Sequence, residues 1–409
     1  MSTRNLHNSA YLKMCMANFL VCTYLFALFT LFFHAHIGAP LQSAAMMLCF
    51  TAGMYVPGPF NSWAVERYSR KGLYLRSLLV ILLLDIFVLA CGTYPLPLSY
   101  IAFFVTGISF AVAQNTLGNT MVNDLLASEK RTKGDNLYSW YGRLGLPVGL
   151  LFALLLLRLS DGSLQIAGYP LPPMTMSKEL MHYVIALPVV IAFLLIFFLQ
   201  VPLKAPVQSP LVSLDRFWRP TAWPLFLMTL AAAAVEGAVI GMTFRLAGLH
   251  ILHDGLYLCG GFILALLLQH VVFVDAVDRA EMVSGTILTL FALILFRHPL
   301  VMVHNVAFLL LGAGIGMMSA RLLMYFLKLS GHCQRGTSQN TYMLGWRSGF
   351  CLGFCFAMID GAGTTELDNF HCIEISLALS VLFLVAYLCL IHPWFERHKD
   401  RDFNARRDA

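Results

Sequence analysis

Runs of about twenty apolar residues follow one another almost from end to end of this chain, each long enough to cross the hydrocarbon core of a bilayer as a helix. A continuous apolar run, unlike an alternating one, can satisfy its backbone hydrogen bonds inside a membrane only as a helix. Twelve such helices are predicted, near 13–33, 41–60, 73–93, 98–122, 138–158, 180–201, 223–247, 255–274, 281–297, 300–327, 341–359 and 372–392. Of the 409 residues, 59% are hydrophobic and only 12% charged. A soluble domain carries about 25% charged residues. The expected class is therefore an all-α membrane protein. The polar segment MSTRNLHNSAYLK does not have the form of a cleavable signal peptide, so the apolar run after it is expected to remain as the first helix. The ten cysteines are scattered, with no CxxC, and signal neither a disulfide framework nor a zinc knuckle; Cys351 and Cys355, on one helix face, read as packing residues.

Charge sets the orientation. With both termini in the cytoplasm, only Arg158, Lys178, Arg245 and Arg297 of the 27 Lys and Arg residues fall on the outer side, leaving 23 inside. The positive-inside rule then puts both termini in the cytoplasm of a cell (inner or plasma) membrane. The formal charge of +6 is accounted for by loops facing an anionic leaflet, and no nucleic-acid partner is implied.

One stretch is written twice. In "DNLYSWYGRLGLPVGL", from Asp135, and "QNTYMLGWRSGFCLGF", from Gln339, Asn136, Tyr138, Arg143, Gly145 and Gly149 superimpose on Asn340, Tyr342, Arg347, Gly349 and Gly353. Arg131 likewise meets Arg335, and every pair is 204 positions apart. Each copy opens an odd-numbered helix, the fifth and the eleventh. The implied architecture is two pseudo-symmetric six-helix halves, 1–201 and 223–409 with a cytoplasmic tail, joined by a cytoplasmic central loop at 202–222. Such repeats characterise transporters that bind their solute between the halves near the midplane. The glycines permit close helix contact. An arginine about one turn inside the membrane calls for an acidic partner or a route to water.

The chain resembles the major facilitator superfamily (MFS) of transporters over all twelve helices. The family's loop motif between helices two and three, G-x-x-x-D-[RK]-x-G-[RK]-[RK], is matched by "SWAVERYSRK", with Glu66 for the acid, Arg67, Arg70 and Lys71 for bases, and Ser62 and Ser69 replacing both glycines. A remnant, Asp278-Arg279, lies between helices eight and nine. The resemblance implies a cytoplasmic gate of Glu66, Arg67, Arg70, Asp278 and Arg279, with Arg143 and Arg347 as expected partners of Glu66 and Asp278. The alternative is that these bases only set topology.

Intramembrane ionisable residues are functional candidates by default. Glu236 lies thirteen residues into helix seven, about 20 Å of rise, in the small-residue stretch "AAAAVEGAVIG". The resemblance makes helix seven cavity-lining, so Glu236 is the first candidate for proton coupling or substrate binding. Its alternative role is a neutral carboxyl bonded to a neighbouring helix. Asp85, equally deep, sits in helix three, which the resemblance makes peripheral. Cavity candidates are Gln114 with the spacing-four series Asn115, Asn119 and Asn123, then Asn18, Tyr24, Arg245, His304 and Asn305. The pairs His34/His36 and His250/His253 have metal-ligand spacing, but headgroup-level anchoring is the preferred reading and no metal site is expected.

The predicted function is secondary active transport of a small organic solute by alternating access, coupled to protons, in a monomer whose other partner is the lipid bilayer. No enzyme and no cofactor are expected, since neither a nucleophile cluster nor an ATP-binding P-loop is present. "GRLGLPVG" partly matches the helix-five signature of family exporters, while "QVPLKAPVQSP" lacks the acid of sugar-uptake members, so export is favoured over sugar- or nucleoside-type uptake. A receptor that no longer transports is the other alternative. A largely apolar, amide-lined cavity with one acid would suit an amphiphilic or cationic solute.

Overall fold

The computed structural model describes residues 9–36, 39–90, 96–126, 131–160, 165–166, 169–170, 178–200, 209–245, 251–273, 278–298, 300–331, 334–360 and 370–399. Twelve long helices occupy the twelve apolar runs: α1 Ser9–Ala35, α2 Pro40–Tyr55, α3 Arg70–Ala90, α4 Leu96–Thr116, α5 Arg131–Ser160, α6 Lys178–Phe197, α7 Trp223–Arg245, α8 Ile251–Val271, α9 Asp278–Leu295, α10 Val301–Lys328, α11 Arg335–Asp360 and α12 Phe370–Ala386. Nine of them, among the described residues, are long and apolar enough to cross a membrane; α2, α3 and α9 are short or carry charge near their ends.

Several boundaries depart from the predicted ones for local reasons. Pro57 and Pro59 cannot continue a helical ladder, so α2 stops at Tyr55 and the chain proceeds through a 3-10 turn, Gly58–Phe60, into the short helix Asn61–Arg67. The fourth helix runs on from α4 through a π-turn, Leu117–Val122, to Leu125. The polar residues ahead of the fifth and eleventh apolar runs stay helical, so α5 and α11 begin at Arg131 and Arg335, six or seven residues early. The loop after α5 holds a two-residue antiparallel pair, Gln165–Ile166 with Tyr169–Pro170.

Packing repeats six helices on. The most extensive pairings are α1 with α5 and α7 with α11, and α2 with α4 is matched by α8 with α10. The two copies of the repeated stretch thus do the same job in each half. A Cβ on Gly149 would collide with the Thr23 carbonyl oxygen of α1, and one on Gly353 with the Ala234 carbonyl oxygen of α7. Only glycine lets these backbones meet. The halves touch along α2 and α11, and α5 and α8. α1, α7, α10 and α11 are buried over most of their length, whereas α6 and α12 turn large apolar side chains such as Leu187, Phe197, Leu382 and Val385 outward. For a bilayer solvent that outward apolar belt is the expected surface.

Candidate functional site

A narrow cavity of about 70 Å³ lies between the halves. α1, α2 and α5 contribute Cys22, Phe26, Thr51 and Arg143, and α7 and α11 contribute Glu236, Tyr342, Trp346 and Arg347. The walls are otherwise mostly Phe, Leu and Met. At about 30 Å³ per water this is room for two or three waters, far below the roughly 300 Å³ of a typical solute site. As it stands the cavity is too small for such a solute, and contacts at both ends of the helices narrow it. At one end, Phe33 of α1 meets Phe354 of α11 at 4.6 Å between ring centroids and Phe244 of α7 at 6.1 Å. At the other, the linker before α7 is bonded to both halves.

That linker is held by named contacts. Ser213 N donates to the Pro59 carbonyl at 2.9 Å, Ser62 Oγ to the Asp215 carbonyl at 3.0 Å, and Asn115 Nδ2 to the Arg216 carbonyl at 3.1 Å, all on the first half. Toward the second half, Arg216 N donates to Thr337 Oγ1 at 2.8 Å and Arg219 N to Thr341 Oγ1 at 2.9 Å. The Arg219 guanidinium reaches Ser338 Oγ at 3.2 Å and the Leu329 carbonyl at 2.6 Å. Thr337 also donates to Asp215 Oδ1, and Asn340 Nδ2 to the Phe217 carbonyl. Arg216 has φ 56°, a left-handed conformation that a side chain resists and that persists only where the surroundings enforce it.

Glu236 is fully buried in the cavity wall with the Trp346 indole as its polar neighbour, and among the described residues it forms no ion pair. Tyr342 lies near both it and Arg143. Asp85 does not face this cavity. It lines a second one of about 30 Å³ with Tyr24 and Ser99, and His182 Nδ1 of α6 sits 3.3 Å from its Oδ1.

The expected pairing of Arg143 and Arg347 with Glu66 and Asp278 is wrong. Each arginine lies twelve residues beyond the start of its helix, about 18 Å of rise, because α5 and α11 begin earlier than the apolar pattern implied. Asp278 instead pairs with Arg321 and Lys328 of α10, and the buried Glu281 with Arg321. In the first half Arg70 pairs with Asp124 at the end of the α4 extension. These clusters join helices within one half. Glu66 is half-buried close to Arg70, while Arg67 and Arg279 are exposed.

Several cavity candidates also stand elsewhere. The asparagine series runs through the π-turn, where Asn119 donates to Asn115 and Asn123 to the Asn119 carbonyl, and it meets the linker through Asn115 rather than the cavity. Asn18 bonds the Tyr138 carbonyl at 3.0 Å and so ties α1 to α5. Gln114 lies 3.9 Å from the Cys22 sulfur. His304 and Asn305 are half-buried in the second turn of α10, His304 edge-on to Phe296. Arg245 ends α7, with its side chain outside the described residues. One residue absent from the expected set is Asp135, fully buried, with neither oxygen hydrogen-bonded and with Arg335 and Arg131 for company. Its one signal was its place in the repeated stretch, where the second copy has Gln339.

Residues 4–204, the first six helices, match a family model described as MFS/sugar transport protein. No curated protein sequence matches. Solved structures match along nearly the whole chain. The nucleoside transporter NupG superimposes with a TM-score of 0.64 at 14% identity, covering 93% of this chain and 99% of NupG. A bacterial homologue of the iron transporter ferroportin, outward-facing, gives 0.64 at 16%, covering 94% and 98%. The E. coli fucose:proton symporter FucP gives 0.58 at 15%, covering 91% and 97%. At these identities the likeness establishes the fold.

Proposed function

We propose that the chain is a major facilitator superfamily transporter, and that it moves a small organic solute through the cavity between its halves, coupled to protons. The observation that carries this is the cavity itself: walled by both halves, and holding one buried carboxylic acid, Glu236, beside the Trp346 indole. A buried carboxyl in no ion pair can bind a proton or a solute group as the cavity opens to one side and then the other.

In this reading the halves, 1–201 and 223–409, rock about α2 and α11 and about α5 and α8. Parting of the Phe33, Phe244 and Phe354 cluster opens the outer path, and release of the linker opens the inner one. The positive-inside count puts the linker and both termini in the cytoplasm of the cell membrane. The clusters Arg70–Asp124 and Asp278–Arg321–Lys328 keep each half rigid as it moves, with Glu66, Arg67 and Arg279 in the same layer. The working unit is a monomer in the bilayer.

Export has the glycine–proline stretch of α5 in its favour. A second reading, proton-coupled uptake, is favoured by the family description and by the symporter among the structural neighbours. The test is solute movement in proteoliposomes under an imposed pH gradient, for wild type and Glu236→Gln, with sugars, nucleosides, amino acids, organic acids and cationic dyes. Gradient-driven movement that Glu236→Gln uncouples supports the proposal, and its direction decides between export and uptake. Movement indifferent to both gradient and substitution contradicts the coupling.

A further inference from the structure

The two arginines of the repeated stretch reach one cavity from opposite halves, and neither has an acidic partner. Arg143 is 7% exposed. Its guanidinium donates to Ser319 Oγ at 2.8 Å, to the Ser139 carbonyl at 3.3 Å and to Asn136 Oδ1 at 3.5 Å, and stacks on Trp140 at 4.4 Å. Arg347 lies 4.5 Å over the Phe110 ring. Among the described residues neither forms an ion pair, and Glu236 in the same cavity bonds neither of them.

Two other arginines are held differently: Arg70 meets Asp124, and Arg321 meets both Asp278 and Glu281, so each is matched by a carboxylate. Holding two guanidiniums in an apolar site on neutral partners alone is costly, and the cost is offset when an anion arrives. The guanidinium is the side chain suited to that task, because its planar fork of donors fits a carboxylate or phosphate. Around the pair the walls are Phe26, Phe29, Phe50 and Phe350, which suit an apolar or aromatic body and offer few partners for the many hydroxyls of a neutral sugar.

We propose that Arg143 and Arg347 together form the head-group site for an organic oxyanion, so that the solute is an acid with an apolar or aromatic body rather than a neutral or cationic compound. The proposal rests on the transporter reading above and names the substrate class of the same cavity. It also explains why the arginines recur with the glycines: each half supplies one guanidinium, and the anion is held fully only while the halves face each other across it. Parting of the halves at either face then weakens the grip.

The test is binding to the purified protein, read by tryptophan fluorescence and by the shift in thermal unfolding. The probes are matched and differ in charge: benzoate against benzamide and benzylamine, hexanoate against hexanamide, and glucuronate against glucose. Acids are expected to bind about tenfold or more tighter than their uncharged or cationic counterparts, the worth of a charge-assisted bond. Arg143→Gln and Arg347→Gln are each expected to erase that preference, and Arg347→Lys to keep part of it. Because Arg143→Gln also cuts a contact between the halves, Ser319→Ala serves as the control: it removes the bond, keeps the charge, and is expected to keep the preference. Tighter binding of amides, amines or glucose overturns the proposal, as does an acid preference that survives loss of both arginines, or binding by none of the acids. Transport of a neutral solute with intact Glu236 dependence would sink the anion assignment and leave the transporter standing. Failure of every solute to follow a gradient would sink the transporter reading instead.

Discussion

Arg219→Ala isolates the contribution of the linker to closure. The substitution removes the guanidinium bonds to Ser338 Oγ and the Leu329 carbonyl, together with a local one from Nε to Thr221 Oγ1, and leaves the backbone bond from Arg219 N to Thr341 in place. The bonds to Ser338 and Leu329 tie the linker to α10 and α11, so they stabilise the closed linker face. Two bonds from a charged donor at a partly exposed site amount to about 1–3 kcal/mol. At about 1.4 kcal/mol per factor of ten, opening becomes about 5-fold to 150-fold more frequent. Amide hydrogen exchange over the first turns of α11, residues 335–345, reports that frequency directly. The expected result is exchange faster by that factor in this segment, with protection in α3 and α9 unchanged. Exchange within about twofold of wild type would refute the idea that the linker holds the halves together, and equal acceleration everywhere would mean that the variant had simply lost stability.

Three further outcomes follow from named contacts. Gly353→Ala forces a methyl into the Ala234 carbonyl and is expected to destabilise by about 1–3 kcal/mol in thermal unfolding, whereas Gly255→Ala, whose added Cβ meets nothing nearer than 3.7 Å, should be neutral or slightly stabilising. Arg321→Gln leaves the buried Glu281 without its counter-charge, and a loss of about 3 kcal/mol or more is expected, seen as a lower unfolding midpoint that Glu281→Gln in the same chain partly restores. Glu236→Gln is expected to retain solute exchange at equal concentrations on both sides while losing accumulation against a gradient. Loss of both would mark Glu236 as a solute ligand instead.

The sequence is most informative where hydrocarbon imposes the rule. Twelve apolar runs become twelve helices because no other continuous structure satisfies a backbone in lipid, and an acid thirteen residues into such a run has to lie deep, as Glu236 does. The repeated glycines are legible for a similar reason, since a small residue recurring on a span marks a close helix neighbour. What fails is the reading of depth from the apolar edge. The polar residues from Arg131 and from Arg335 still make good helical hydrogen bonds, so the arginines twelve residues on sit in the cavity and not in the gate. The asparagine series was read at α-helical pitch, but a π-turn and the linker carbonyl of Arg216 absorb it. The linker network has no periodicity at all, since its order comes from side chains of α11 more than a hundred residues away. Asp135 escaped notice because a charge next to Arg131 reads as solvated until the packing buries it.

Two native cysteines allow the central claim to be tested without altering the protein. Cys22 of α1 and Cys351 of α11 both line the cavity and are almost fully buried, at 4% and 1% exposed. A membrane-impermeant maleimide applied to one face at a time, in right-side-out and in inverted vesicles, with the modified cysteines identified by mass spectrometry, reports which faces the cavity opens to. Alternating access through this cavity is expected to give labelling of both residues from either face, slowed by a transported solute. Labelling confined to one face, or from both faces but unaffected by any transported solute, would contradict it.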